Sequence, residues 1–204
     1  MVEPAAVGSL GHVPGDLTAE TPLEARLMAE PRWRAGAAWG EPRPGHPEGT
    51  IAAHVAEVLA NLDRASLDVA ARRKLRLVAL LHDTFKHQVD PGRPPTGANH
   101  HGAIARRFAE RHLDDPDVLE LLELHEEAYN AWLTGVRRGS WARAEVRVER
   151  LRERLGPRLG LYLAFYRADN ATGDKHDEPL RWFEALVARG DLGESPGPNR
   201  GAGH

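Results

Sequence analysis

The apolar run Leu77-Val78-Ala79-Leu80-Leu81 leads straight into His82-Asp83, and that junction constrains the chain more than any other feature. Leu67, Leu75, Val78 and Leu81 keep helical spacing, which predicts a helix from about Ser66 to Asp83. A helix so apolar at its end packs inside a core. It therefore carries an imidazole and a carboxylate to the edge of that core.

The rest of the chain follows the same period. Thr50 is an N-cap candidate for a helix with Ile51, Val55, Val58 and Leu59 on one face. Short helices are expected near Pro22–Met28 and Trp33–Trp39. Longer ones are expected over 98–112, 116–133 with a possible interruption near His125, 141–155, 159–169 and 178–188. Prolines at 42, 44 and 47, and again at 91, 94 and 95, break the pattern because they remove amide donors and restrict the preceding residue. No period-two alternation persists and no internal repeat is found. The expected fold class is all-α: an N-terminal extension with short helices over 1–45, one helical domain over 46–189, and a Gly/Pro-rich, disordered tail over 190–204.

Composition narrows the chemistry. At 204 residues the chain suits one domain with a sizeable core. A formal charge of -3 offers no basic field for nucleic acid, and no apolar run approaches a membrane span. The first residues lack the basic flank and apolar stretch of a signal peptide, so the cytoplasm is the expected location. Cysteine is absent, which excludes disulfides and thiol chemistry, whereas histidine occurs 11 times. Arg-rich 146–154 mixes both signs and reads as a solvated, ion-paired face. The segment 92–97 is no phosphate loop, since no strand precedes it and no Gly-Lys-Ser/Thr follows.

Several histidines and aspartates fall on or beside apolar helical faces. His54 lies between Ile51 and Val58, His101 shares a face with Ile104, Ala105 and Phe108, and His125 follows Leu121 and Leu122. Asp169 ends the segment 161–169, where a buried carboxylate is costly without a cation or hydrogen-bond partners. Any one of these suits ordinary packing. Together, the order His, His-Asp, His, His, Asp on successive helices supplies the nitrogen and carboxylate donors that a divalent metal needs.

Residues His54, Leu80-Leu-His-Asp-Thr-Phe-Lys86 and Asp169 resemble the ligand motifs of the HD superfamily, over roughly residues 46 to 172. The resemblance implies a helical core in which His54, His82, Asp83 and Asp169 hold one metal. HD proteins with two metals add two histidines between the HD pair and the last aspartate. His101 and His125 stand in that order, with Asp83 as the bridging residue. His100 is the alternative to His101, and helical phase favours His101.

Hydrolysis of a phosphate ester is the activity the resemblance implies. It would run on two divalent ions (iron, manganese, cobalt, nickel, zinc or magnesium) and a small anionic substrate, a nucleotide among the options. Asp83 and Lys86 are the expected catalytic residues. Lys86, Arg93 and Lys175 are the expected substrate-binding cations, with His87 weaker. The same six ligands also suit HD-type oxygenases with a mixed-valent diiron pair, and a third option is a metal-stabilised nucleotide-binding module. The segment Trp33–Pro47 could fold over the site, with Trp33, Trp39 and Tyr129 as wall candidates. No nucleic-acid or membrane partner is expected; HD proteins often dimerise, so the resemblance leaves a homodimer open.

Overall fold

The computed structural model describes residues 17–191, so the expected loose N-terminus and disordered tail lie almost wholly outside the described residues. Ten α-helices and no strand occur among them, which bears out the all-α class. In chain order these are α1 (Pro22–Ala29), α2 (Pro31–Ala37), α3 (Ile51–Arg64), α4 (Val69–Leu81), α5 (His101–Ala109), α6 (Pro116–Leu124), α7 (Glu127–Arg138), α8 (Trp141–Leu155), α9 (Leu159–Asn170) and α10 (Glu178–Asp191). No helix is long and apolar enough to cross a membrane among the described residues.

Helix α4 lies at the centre, packed against α3, α6 and α9. Leu75, Val78, Ala79, Leu80 and Leu81 are fully buried there. Burying a side chain of this kind contributes about 1.5–3 kcal/mol, so the apolar run anchors the helix. The helix starts later than the spacing predicts, because Asp68 caps it by accepting from the Ala71 amide at 2.8 Å. Thr50 caps α3 as expected, accepting from Ala53 at 3.2 Å.

The end of α4 is held from outside. The Leu80 carbonyl, left without an amide partner by the helix end, accepts from Trp33 Nε1 at 2.8 Å and from the Thr84 hydroxyl at 2.7 Å. Trp33 is wholly buried by that role. Helices α1 and α2 thus share the main core through Leu27, Met28, Trp33 and Ala37. The buried pair Glu24–Arg76, at 3.0 Å, fixes α1 to α4.

Gly36 in α2 is the tightest approach: a Cβ there would lie 1.6 Å from the Thr84 carbonyl oxygen. Nothing flexible can give way, since the obstacle is the backbone just after Asp83. Gly36→Ala is therefore expected to destabilise the fold by about 3 kcal/mol or more, measurable by urea unfolding.

The interruption near His125 is real, with α6 ending at Leu124 and α7 starting at Glu127. Tyr162 of α9 explains how the break is tolerated. Its buried hydroxyl accepts from the Ala128 amide at 3.1 Å and sits 3.2 Å from the carbonyls of Leu124 and His125, to either of which it donates.

Candidate metal centre

The helix ends converge on one point. His54 comes from α3, His82 and Asp83 from the end of α4, His101 from the start of α5, His125 from the end of α6, and Asp169 from the end of α9. His54, His82, Asp83, His101 and His125 are all buried. The six residues singled out as ligands in the sequence thus come together in space, forming two adjoining groups of donors.

In the first group, His54 Nε2 lies 3.2 Å from His82 Nε2 and 2.9 Å from Asp169 Oδ1. Asp83 Oδ2 is 3.8 Å from His54 Nε2 and 3.6 Å from His82 Nε2. In the second, His101 Nε2 and His125 Nε2 are 3.0 Å apart, and Asp83 Oδ1 is 3.4 and 3.5 Å from them. The two oxygens of Asp83 therefore face different groups.

Proton placement identifies what this arrangement wants. His82 Nδ1 is 2.9 Å from the Ala79 carbonyl and His125 Nδ1 is 2.9 Å from the Leu122 carbonyl. A carbonyl only accepts, so each Nδ1 carries a proton, and Nε2 is the atom that offers a lone pair whenever the ring is neutral. His54 Nδ1 lies 3.2 Å from a Glu48 carboxylate oxygen and 3.3 Å from the Thr172 hydroxyl, while its Nε2 is turned to the site. The first group gathers two imidazole Nε2 atoms and two carboxylate oxygens, none of them more than 3.8 Å from His54 Nε2. Four such atoms at these separations repel one another unless a cation sits with them. The donor set fits a divalent metal, and nitrogen with carboxylate oxygen is what borderline and hard ions accept.

Electrostatics agree. Burial alone would raise the Asp83 carboxyl, but Lys86, His82 and hydrogen bonds with His101 and His125 outweigh it and hold Asp83 well below the ordinary carboxylate range. Asp169 is held down in the same way, by Lys175, His54 and His82 against its burial. Burial lowers His82, and lowers His101 to about 4, so both imidazoles stay neutral and able to ligate near pH 7. His125 is raised, because Asp83 and Glu126 outweigh its burial.

The structure places the remaining expected residues unevenly. Lys86 Nζ is 2.6 Å from Asp83 Oδ2, Lys175 Nζ is 3.0 Å from Asp169 Oδ1, and both line a cavity of about 680 Å³ over the site. Arg93 is exposed and lies outside the cavity wall. His87 is turned to the Thr84 carbonyl at 3.1 Å and is also outside it. Of the three aromatic wall candidates only Tyr129 lines the cavity; Trp33 is core and Trp39 is exposed elsewhere. His100 is not in either donor group. It caps α5 by accepting from the Gly102 amide at 3.1 Å and lies 3.2 Å from Glu126, so His101 is the member of the pair that faces Asp83.

Three residues escaped the sequence reading. Glu126 joins the second group, 3.7 Å from His101 Nε2, and its carboxyl is lowered to about 2 as His100, His101, His125 and Lys86 outweigh burial. The signal was present: Leu124-His125-Glu126 repeats the apolar-helix, histidine, acid order of Leu81-His82-Asp83. Glu48 and His46 come from the proline-rich loop before α3. One oxygen of Glu48 faces His46 Nδ1 at 2.9 Å and His54 Nδ1 at 3.2 Å, so a single carboxylate orients a donor of the first group and a cavity-wall imidazole. The loop is seated against Gly173, where a Cβ would come within 3.0 Å of the Gly45 carbonyl and 3.1 Å of Glu48 Oε2. Glu48→Ala is expected to weaken metal affinity about 10–100-fold, read by competition with a chromogenic chelator, because His54 loses the carboxylate beside its Nδ1.

Comparison with protein-family models, with curated proteins and with solved structures gave no match.

Proposed function

We propose that the chain is a metal-dependent phosphohydrolase of the HD type, which cleaves a small phosphate ester with water. One observation carries the reading: Asp83 directs one oxygen to each of two donor groups, while a lysine ammonium stands beside each of the carboxylates Asp83 and Asp169 on the cavity floor. In this reading His54, His82, Asp83 and Asp169 hold one ion, and Asp83, His101, His125 and Glu126 hold a second. Bound divalent ions lower the pKa of water and offset negative charge on a phosphoryl oxygen.

The chain's own residues supply the rest. Lys86 and Lys175 bind and orient the anionic ester through charge-assisted hydrogen bonds. The carbonyls of Ala79 and Leu122 keep the Nδ1 protons of His82 and His125 in place, so both rings keep Nε2 directed to the site. A water oxygen bonds to phosphorus, the ester P–O bond breaks, and the leaving oxygen takes up a proton.

The test is phosphate release from a panel of phosphate esters, with manganese or cobalt added, by the intact chain and by Asp83→Ala. Release that disappears in the variant supports the reading. Protein that purifies with about two irons per chain and consumes oxygen with its substrate overturns it in favour of a diiron oxygenase. Tight nucleotide binding without turnover overturns it in favour of a binding module.

A further inference from the structure

The cavity above the metal centre is larger than its ionic floor requires. Its volume of about 680 Å³ falls within the roughly 300–1,000 Å³ range of pockets that enclose a whole organic ligand. A bare phosphate group with two or three carbons would leave most of it to solvent. The shape of the occupant is therefore set by the walls.

Those walls are chemically divided. The floor carries Asp83, Asp169 and their lysines. One wall carries Tyr129 and Trp132, three residues apart on α7 and so on one helical face. Their rings are nearly parallel, with centroids 6.0 Å apart and planes 22° apart. Tyr129 keeps 40% of its surface exposed, so ring area remains open beside the cavity. An offset aromatic pair of this kind is a surface on which a further planar ring stacks. Apart from the imidazoles of His46 and His176, and from Glu126 in the second donor group, the acidic and basic side chains of the wall are the carboxylates Asp174 and Glu178. They disfavour a second anionic group, so the ligand has a single anionic end and a body that is neutral or cationic.

We infer that the substrate is a singly phosphorylated molecule bearing a planar ring, with its phosphate over the metal centre and its ring on the Tyr129–Trp132 platform. The inference rests on the phosphate-ester reading of the site and adds to it a size, a ring and a limit of one phosphate.

The test uses the full chain loaded with manganese and two non-hydrolysable probes, phenylphosphonate and methylphosphonate, titrated by calorimetry. Phenylphosphonate is expected to bind about tenfold more tightly or better, in the range that a stacked ring contributes. In Tyr129→Ala, a partly exposed position where folding is not at stake, that preference shrinks. In Tyr129→Ala/Trp132→Ala the two probes bind alike. Equal affinity in the unaltered protein overturns the platform while leaving the phosphate reading intact, as does a preference that survives both substitutions. Binding of neither probe overturns the phosphate reading and the platform with it.

Discussion

Stripping metal from the protein with a chelator is expected to lower its thermal unfolding midpoint by about 10 °C. The cause is the crowding of donor atoms at the helix ends: His54 and His82 present Nε2 to each other at 3.2 Å, with Asp169 2.9 Å from His54 and Asp83 beyond. Burial removes the solvent that would otherwise screen them, and Lys86 and Lys175 offset only part of the charge. An ion that binds the folded chain alone stabilises it by about 4 kcal/mol at a thousandfold excess over its dissociation constant. In a chain of this length each kcal/mol moves the midpoint by about 2–4 °C. Scanning calorimetry with and without added manganese or zinc reads the difference. A midpoint unmoved by either ion would mean that the donor groups hold themselves together by hydrogen bonds alone.

The second large effect concerns Asp83. Asp83→Asn keeps the shape of the side chain and removes its charge, and both oxygens of Asp83 are in use. Metal content is expected to drop in both donor groups, and kcat/KM for any hydrolysed ester to fall by about a thousandfold or more. Lys86→Met provides the contrast. It removes a cation 2.6 Å from Asp83 that lines the cavity without belonging to either donor group. Metal content should persist there, while KM rises by about 10–100-fold, the worth of one hydrogen bond to a charged group. A variant at Lys86 that loses metal as completely as Asp83→Asn would place the ammonium in the metal scaffold instead of the substrate site.

The helices and the main donors were legible in the sequence because both follow from periodicity. A histidine in phase with an apolar face points into the core wherever the helix packs, as with His54 among Ile51, Val55 and Val58. Helix ends were harder, since a cap is a local hydrogen bond that competes with the period; Asp68 caps α4, which begins at Val69, three residues after the predicted start at Ser66. His100 shows the same competition, for its ring is spent on the α5 cap. Glu48 and His46 were not legible. Their placement comes from tertiary contact between the loop before α3 and the turn at Gly173, more than a hundred residues away, and no spacing within either loop records it. Arg93 failed for a related reason: a cation in a loop between helices has no periodicity to aim it, and this one faces solvent.

The most direct measurement of the metal centre is an anomalous-scattering crystal structure of the chain grown with manganese. The geometry predicts two ions about 3.5–4 Å apart, the separation of paired catalytic metals, with Asp83 binding one ion through each oxygen. His54, His82 and Asp169 should complete one ion's sphere, and His101, His125 and Glu126 the other's. A single ion, or a pair in which Asp83 binds neither, would contradict the bridging arrangement on which the account depends.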